Sequence, residues 1–229
     1  MKFRIIALLF VGSFASAADT VVPVYEEPFH RLVADSTDFK ILNILIPPGG
    51  TTLYHRHAEP TFYVVLNRTV VRSQLLGGEW SAPIPPTELP GSVSHNDESR
   101  EKPFEHRVNN MSDEGFHLML ITNDRLTRAA PDLDVMSSMP GAPGIDSQYF
   151  TQSKIFLEPR ERYDWGGVPH KVIFVLATDT HVVVRSNRVR EFAWGMHDPG
   201  DFEYIIAEQG FSFENRSDEP AIIIALAVR

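Results

Sequence analysis

The chain has 229 residues, 43% of them hydrophobic, with no cysteine and a formal charge of −9. The absence of cysteine excludes disulfides, thiolate metal sites, a cysteine nucleophile and a cysteine-linked lipid anchor. The acidic balance argues against nucleic acid as a partner, and the dispersed acids point to solubility rather than to an acidic binding tail.

Met1-Lys2-Phe3-Arg4 supplies a positive end, Ile5 to Val11 an apolar run, and Ala15-Ser16-Ala17 the small residues that a signal peptidase reads. Residues 1–17 are therefore expected to be a secretory signal peptide. The mature chain would begin at Ala18, carry −11 once Lys2 and Arg4 are gone, and be exported to a periplasm or secreted. No apolar stretch reaches the ~20 residues that span a bilayer, so no membrane anchor is expected.

Downstream, short runs rich in Val, Ile, Phe and Tyr alternate with Pro, Gly, Asn and Asp. The first is Phe39 to Ile46, followed by His55-Arg56-His57, then Phe62 to Leu66 and Thr69 to Ser73. Ser81 to Gly91, crowded with prolines, reads as a loop. Next come His106 with Asn110 four residues on, and the run Phe116 to Thr122. Ala129 to Gly144 reads as the connection between two halves, whose second has runs at Lys171 to Leu176, His181 to Arg185 and Ala221 to Val228. Spaced in this way, and without sustained helical periodicity, the runs predict an all-β barrel or sandwich.

The halves repeat one unit at an offset near 105 to 113 residues. Asn110-Met111-Ser112-Asp113-Glu114 is answered by Asn215-Arg216-Ser217-Asp218-Glu219, Phe62 to Leu66 by Val172 to Leu176, and Val-Val-Arg-Ser ends at both Ser73 and Ser186.

Side chains at i and i+2 of a strand share a face, so His55 and His57 can point into one cavity that His106 closes as a metal-ligand set. Arg56 would face the other way and form a structural ion pair. Glu59 has the parity of both histidines and is a candidate fourth ligand, although Pro60 beside it usually marks a turn or bulge. His30, His170, His181 and His197 share no spacing and read as surface or core histidines. Tyr54, Tyr63 and His117 read as pocket or wall. Imidazole ligands suit Zn, Cu, Ni and Fe, with Mn at the margin, and loss of metal is expected as pH falls through about 6.

These residues resemble the cupin superfamily. Gly49, His55 and His57 stand in the register of its first motif, and His106 and Asn110 in that of its second, with His95, Glu101 and Pro103 replacing Gly, Pro and Gly. The frame returns as Gly200, Ile206, Glu208, Phe211 and Asn215, with phenylalanine at the ligand position, and Trp165 and Gly167 fall opposite His55 and His57. The resemblance implies two tandem jelly-roll barrels: an N-terminal barrel over residues 18–126 holding a divalent metal (Fe, Mn, Zn or Ni), a linker over 127–150, and a metal-free C-terminal barrel over 151–229. Tyr163, Trp165, Phe174, Trp194, Tyr204 and Phe211 are then expected to fill that second barrel.

The family's glutamate ligand falls at Thr61 or Phe62. Three alternatives are open there: Glu59 substitutes, the site is three-histidine with water and Thr61 nearby, or metal binding has decayed. The resemblance implies a metal-dependent oxidoreductase or isomerase acting on a small organic molecule, with homodimerisation through sheet edges open to it. The alternative is a non-catalytic small-ligand-binding or interaction module without metal.

Overall fold

The computed structural model describes residues 20–85, 89–125, 133–167, 171–186, 193–206 and 210–229, so the expected signal peptide and His170 lie outside the described residues. In the N-terminal half, β1 (Val21–Pro23), β4 (Tyr54–His57), β8 (Phe104–Asn110) and β6 (Val71–Leu75) form a four-stranded sheet in that order. It faces a five-stranded sheet of β2 (His30–Asp35), β3 (Lys40–Ile46), β9 (Phe116–Thr122), β5 (Thr61–Val65) and β7 (Val93–Asn96). The C-terminal half repeats the plan, with β12 (Arg162–Trp165), β17 (Phe211–Asn215), β14 (Val182–Ser186) and β15 (Ala193–Met196) in one sheet. Its larger sheet is β10 (Ala142–Asp146), β11 (Phe150–Leu157), β18 (Ala221–Val228), β13 (Lys171–Leu176) and β16 (Phe202–Ile206). These are two jelly-roll barrels in tandem. All seven apolar runs become strands, and the segment read as a connection carries α1 (Leu133–Ser138) and the start of β10, which pairs with β11.

Strand alternation divides the interior into three cores. One face of β3 and β9 buries Leu42, Ile44, Ile46 and Leu120 inside the first barrel. Alternate residues of β12, β13, β14, β17 and β18 fill the second with Trp165, Phe174, Phe211, Phe213 and Ile223. The opposite faces of the two five-stranded sheets meet in a third core containing Ile41, Phe62, Val64, Phe150, Val175 and Leu226. Central strands buried on both faces explain why their sequences read as continuous apolar runs rather than alternating ones. Of the six aromatics expected to fill the second barrel, Tyr204 is the exception: it packs in the core between the barrels, edge-on to Phe39 at 4.8 Å between centroids.

The repeat is physical. Asn110 is fully buried, its amide reaching the carbonyls of Ile46, Pro47 and Glu114 while its oxygen accepts from the Ser112 N–H. Asn215 does the same with Leu157, Glu158, Glu219 and Ser217. Each asparagine satisfies the backbone of a turn that has no ladder partner, which is why it recurs. Two of the expected matches slip in register. Val71 faces Asn110 and Val182 faces Asn215, so the counterpart of Ser73 is Val184 rather than Ser186. Counting from the asparagines, Met119 corresponds to Ile224; these pair with Val64 and Val175, so Phe62 answers Ile173, not Val172.

Candidate metal centre

β4 is extended through His57, so His55 and His57 project inward together, and antiparallel pairing sets His106 of β8 directly opposite His55. The three residues bring one ring nitrogen each within 4.8 Å of one another. His57 Nε2 and His106 Nε2 are 3.1 Å apart. Two nitrogens bound to one ion at about 2.0–2.1 Å and roughly 90–110° apart would be separated by about 2.9–3.4 Å. The observed spacing fits two ligands of a shared ion, and without an ion it is that of a hydrogen bond between the two rings.

The second nitrogen of His55 is already committed. His55 Nδ1 donates to the Leu53 carbonyl at 3.1 Å, which leaves its Nε2 unprotonated. The Tyr63 phenol oxygen faces His57 Nδ1 at 3.5 Å, and the Thr61 hydroxyl donates to the Glu59 carbonyl at 2.8 Å. Phe104, directly across from His57, stacks on it at 4.8 Å and 4° between planes. Burial pushes His55 down to about 4 and His106 to about 3, and holds His57 well below the ordinary histidine value. All three rings are thus neutral near pH 7, the form a metal ligand requires.

Glu59 does not join the group. β4 ends at His57 and β5 begins at Thr61, so Glu59 sits in a bend before Pro60 where strand parity no longer holds. It lines an outer groove with Tyr25, Arg56 and Glu105. Its contribution to the centre is its backbone carbonyl. Arg56 faces outward, as its parity requires, and pairs with Glu105 at 3.8 Å.

His30, read from the sequence as a surface or core histidine, is a core one beside the triad. It lies on β2 in the opposing sheet, 5% exposed, with its ring edge-on to His55 at 4.6 Å between centroids. Its Nδ1 donates to the Val24 carbonyl at 2.8 Å, and burial pushes it down to about 3. Glu27, also buried, accepts the N–H groups of Phe29 and Leu53, and so anchors the residue whose carbonyl meets His55. Only barrel closure brings these residues to the triad. His117 instead reaches Asn43 at 2.9 Å, Tyr54 packs beneath the Arg107 guanidinium, and His181 and His197 meet at 4.2 Å between centroids in the second barrel.

In the second barrel Trp165 pairs with Phe211 in the register that joins His55 to His106, and their rings stack at 6.4 Å between centroids. Aromatic carbon fills the place of the ligands.

Similar architecture occurs in solved structures. AerE from Microcystis aeruginosa aligns with a TM-score of 0.56 at 12% identity, covering 89% of this chain and 98% of that one. A cupin 2 conserved barrel domain protein from Leptotrichia buccalis aligns at 0.51 and 9% identity, over 87% and 88%. The chain has the cupin fold. Salicylate 1,2-dioxygenase from Pseudoaminobacter salicylatoxidans, in adducts with gentisate, aligns at 0.54 and 11% identity, over 84% and 69%. Oxalate decarboxylase from Bacillus subtilis, which has Mn(II) centres, aligns at 0.51 and 13% identity over the same shares. No protein-family model matches the sequence, and no curated protein matches it.

Proposed function

We propose that the N-terminal cupin barrel holds one divalent metal ion through the Nε2 atoms of His55, His57 and His106, and that the protein is a metal-dependent enzyme acting on a small organic molecule. The observation that carries this reading is the convergence of three imidazoles held neutral by burial, one ring nitrogen of each within 4.8 Å of the others, with the His55 tautomer set by Leu53. A duplicated barrel that had lost the function would have no reason to keep this arrangement, and the second barrel, filled by Trp165 and Phe211, lacks it. A divalent ion there would polarise a carbonyl or a water, or exchange electrons if redox-active. The surrounding residues would orient the rings and keep bulk water out: Phe104 covers one face of His57, and the Tyr63 hydroxyl lies 3.5 Å from its Nδ1. Export after removal of residues 1–17 belongs to the same proposal.

Elemental analysis of protein purified without an affinity tag tests it. Stoichiometric metal that disappears in the His55→Ala/His106→Ala double variant and persists in Glu59→Gln supports the proposal. Metal-free protein whose thermal stability does not respond to added Mn, Fe, Zn or Ni rejects it and favours the non-catalytic binding module.

A further inference from the structure

The strand alternation that turns His55, His57 and His106 inward turns their neighbours outward, and on the outer face of the same sheet two arginines stack on one indole. Trp80 bridges to Gln74 of the edge strand β6, and the guanidinium carbons of Arg72 and Arg107 lie 4.6 Å and 5.0 Å from its ring centroid. Arg107 also packs on Tyr54 at 4.6 Å. Across the β6–β8 ladder Arg72 faces Asn109 and Gln74 faces Arg107, so these four side chains share one face.

Both guanidinium groups are held in place before any ligand arrives. Arg72 donates its Nε–H to Asn109 Oδ1 at 3.1 Å, and Arg107 donates its own to Gln74 Oε1 at 2.7 Å. The accepting amides are themselves tied down, Asn109 Nδ2 by the Gly49 and Gly50 carbonyls and the Thr51 hydroxyl, Gln74 Nε2 by the Gly78 carbonyl. With each Nε engaged, the terminal N–H groups form a planar fork matched to an oxyanion, and they have no acceptor among the described residues. Neither arginine has a carboxylate partner there, although the chain carries 30 acids and Arg56, Arg185 and Arg216 each find one. Both side chains are half-buried, so the forks are reachable while the aromatic stack keeps part of their water away. The positive patch is also small. Glu105, on the same face of β8 and paired with Arg56, and exposed Glu79, beside Trp80 in the chain, return negative charge to its surroundings. Two unmatched positive charges fit a compact dianion. A long polyanion would meet those acids and a chain of net charge −9, and a neutral sugar would leave both charges unmatched.

We propose that this outer face binds a small doubly charged oxyanion, a phosphate or a short dicarboxylate, through the terminal N–H groups of Arg72 and Arg107. The site lies on the opposite side of the sheet from the histidines and stands whether or not the barrel holds an ion.

Titration of the full chain with inorganic phosphate, succinate and acetate tests the proposal, read by NMR from the indole N–H signals of its 3 tryptophans, with Trp80 assigned through Trp80→Phe. Phosphate or succinate should shift the Trp80 signal saturably and bind at least roughly tenfold more tightly than acetate, and whichever of the two binds names the oxyanion. Arg72→Gln should weaken that binding roughly tenfold or more, and Arg72→Lys, which keeps the charge and the stem but not the fork, should weaken it by a similar factor and serves if the glutamine variant does not fold. Protein stripped of metal by a chelator should bind within about twofold of the untreated protein, because the arginines and not an ion hold the ligand. No Trp80 shift with either dianion, acetate binding as tightly, unchanged affinity in Arg72→Lys, or loss of binding on stripping the metal would overturn it. Dianion binding to metal-stripped protein leaves this site standing even if the histidines prove to hold no ion.

Discussion

Acid should unfold the metal-free protein well above the pH at which its buried histidines titrate in the native state. His30 and His55, 5% and 1% exposed, are pushed by burial from 6.5 to about 3 and about 4. Above pH 6.5 both are neutral in folded and unfolded chains alike and cost nothing. Below it the unfolded chain takes up protons that the folded chain refuses, so stability falls until the folded values are reached. At about pH 5 each ring costs the native state about 2 kcal/mol, so the pair costs about 4 kcal/mol. His57 and His106 act in the same direction. Against a total stability of about 5–15 kcal/mol this is a large fraction. Urea denaturation followed by tryptophan fluorescence at about pH 7.5 and about pH 5 measures the loss, and His30→Gln should reduce it by about 2 kcal/mol. A free energy that is flat between these conditions, or a pH dependence unchanged in His30→Gln, would refute the reasoning. For the metal-loaded protein the same shifts correct the expectation of metal loss near pH 6. Protons compete for these nitrogens in the folded state only near pH 4 and below, so metal release and unfolding should share one midpoint.

Tyr63→Phe removes the hydroxyl 3.5 Å from His57 Nδ1 and should lower metal affinity about 10- to 100-fold in a competition titration with a chelator, with the fold retained. Phe62→Ala opens a cavity in the core between the barrels and should cost about 3–5 kcal/mol in urea denaturation, with both barrels unfolding in one transition because they share that core. Asn110→Ala and Asn215→Ala each leave a buried turn unsatisfied and should cost about 1–3 kcal/mol apiece by the same assay, nearly equally.

Much of the centre could be read from residue spacing, because His55, Arg56 and His57 lie within one unbroken strand where period two is reliable. The same rule failed for Glu59, two residues further on, because β4 had already ended before Pro60. Phe211 at the ligand position and Trp165 opposite His55 were legible from the frame of Asn215, a residue whose hydrogen bonds force it to recur. Short apolar strings carried no such constraint, which is why Val-Val-Arg-Ser misplaced Ser186 by two residues. His30 and Glu27 could not be foreseen: they reach the centre from another sheet, and only closure of the barrel sets their distance. Nor does a strand's sequence say which apolar face fills its own barrel and which packs on the neighbouring one, as Tyr204 illustrates.

X-ray absorption at the metal edge of the loaded protein examines the central claim most directly. The account predicts the outer-shell scattering of three imidazoles bound at about 2.0–2.2 Å, falling to two in His57→Ala. A spectrum with no imidazole scattering, or one unchanged in that variant, would contradict it.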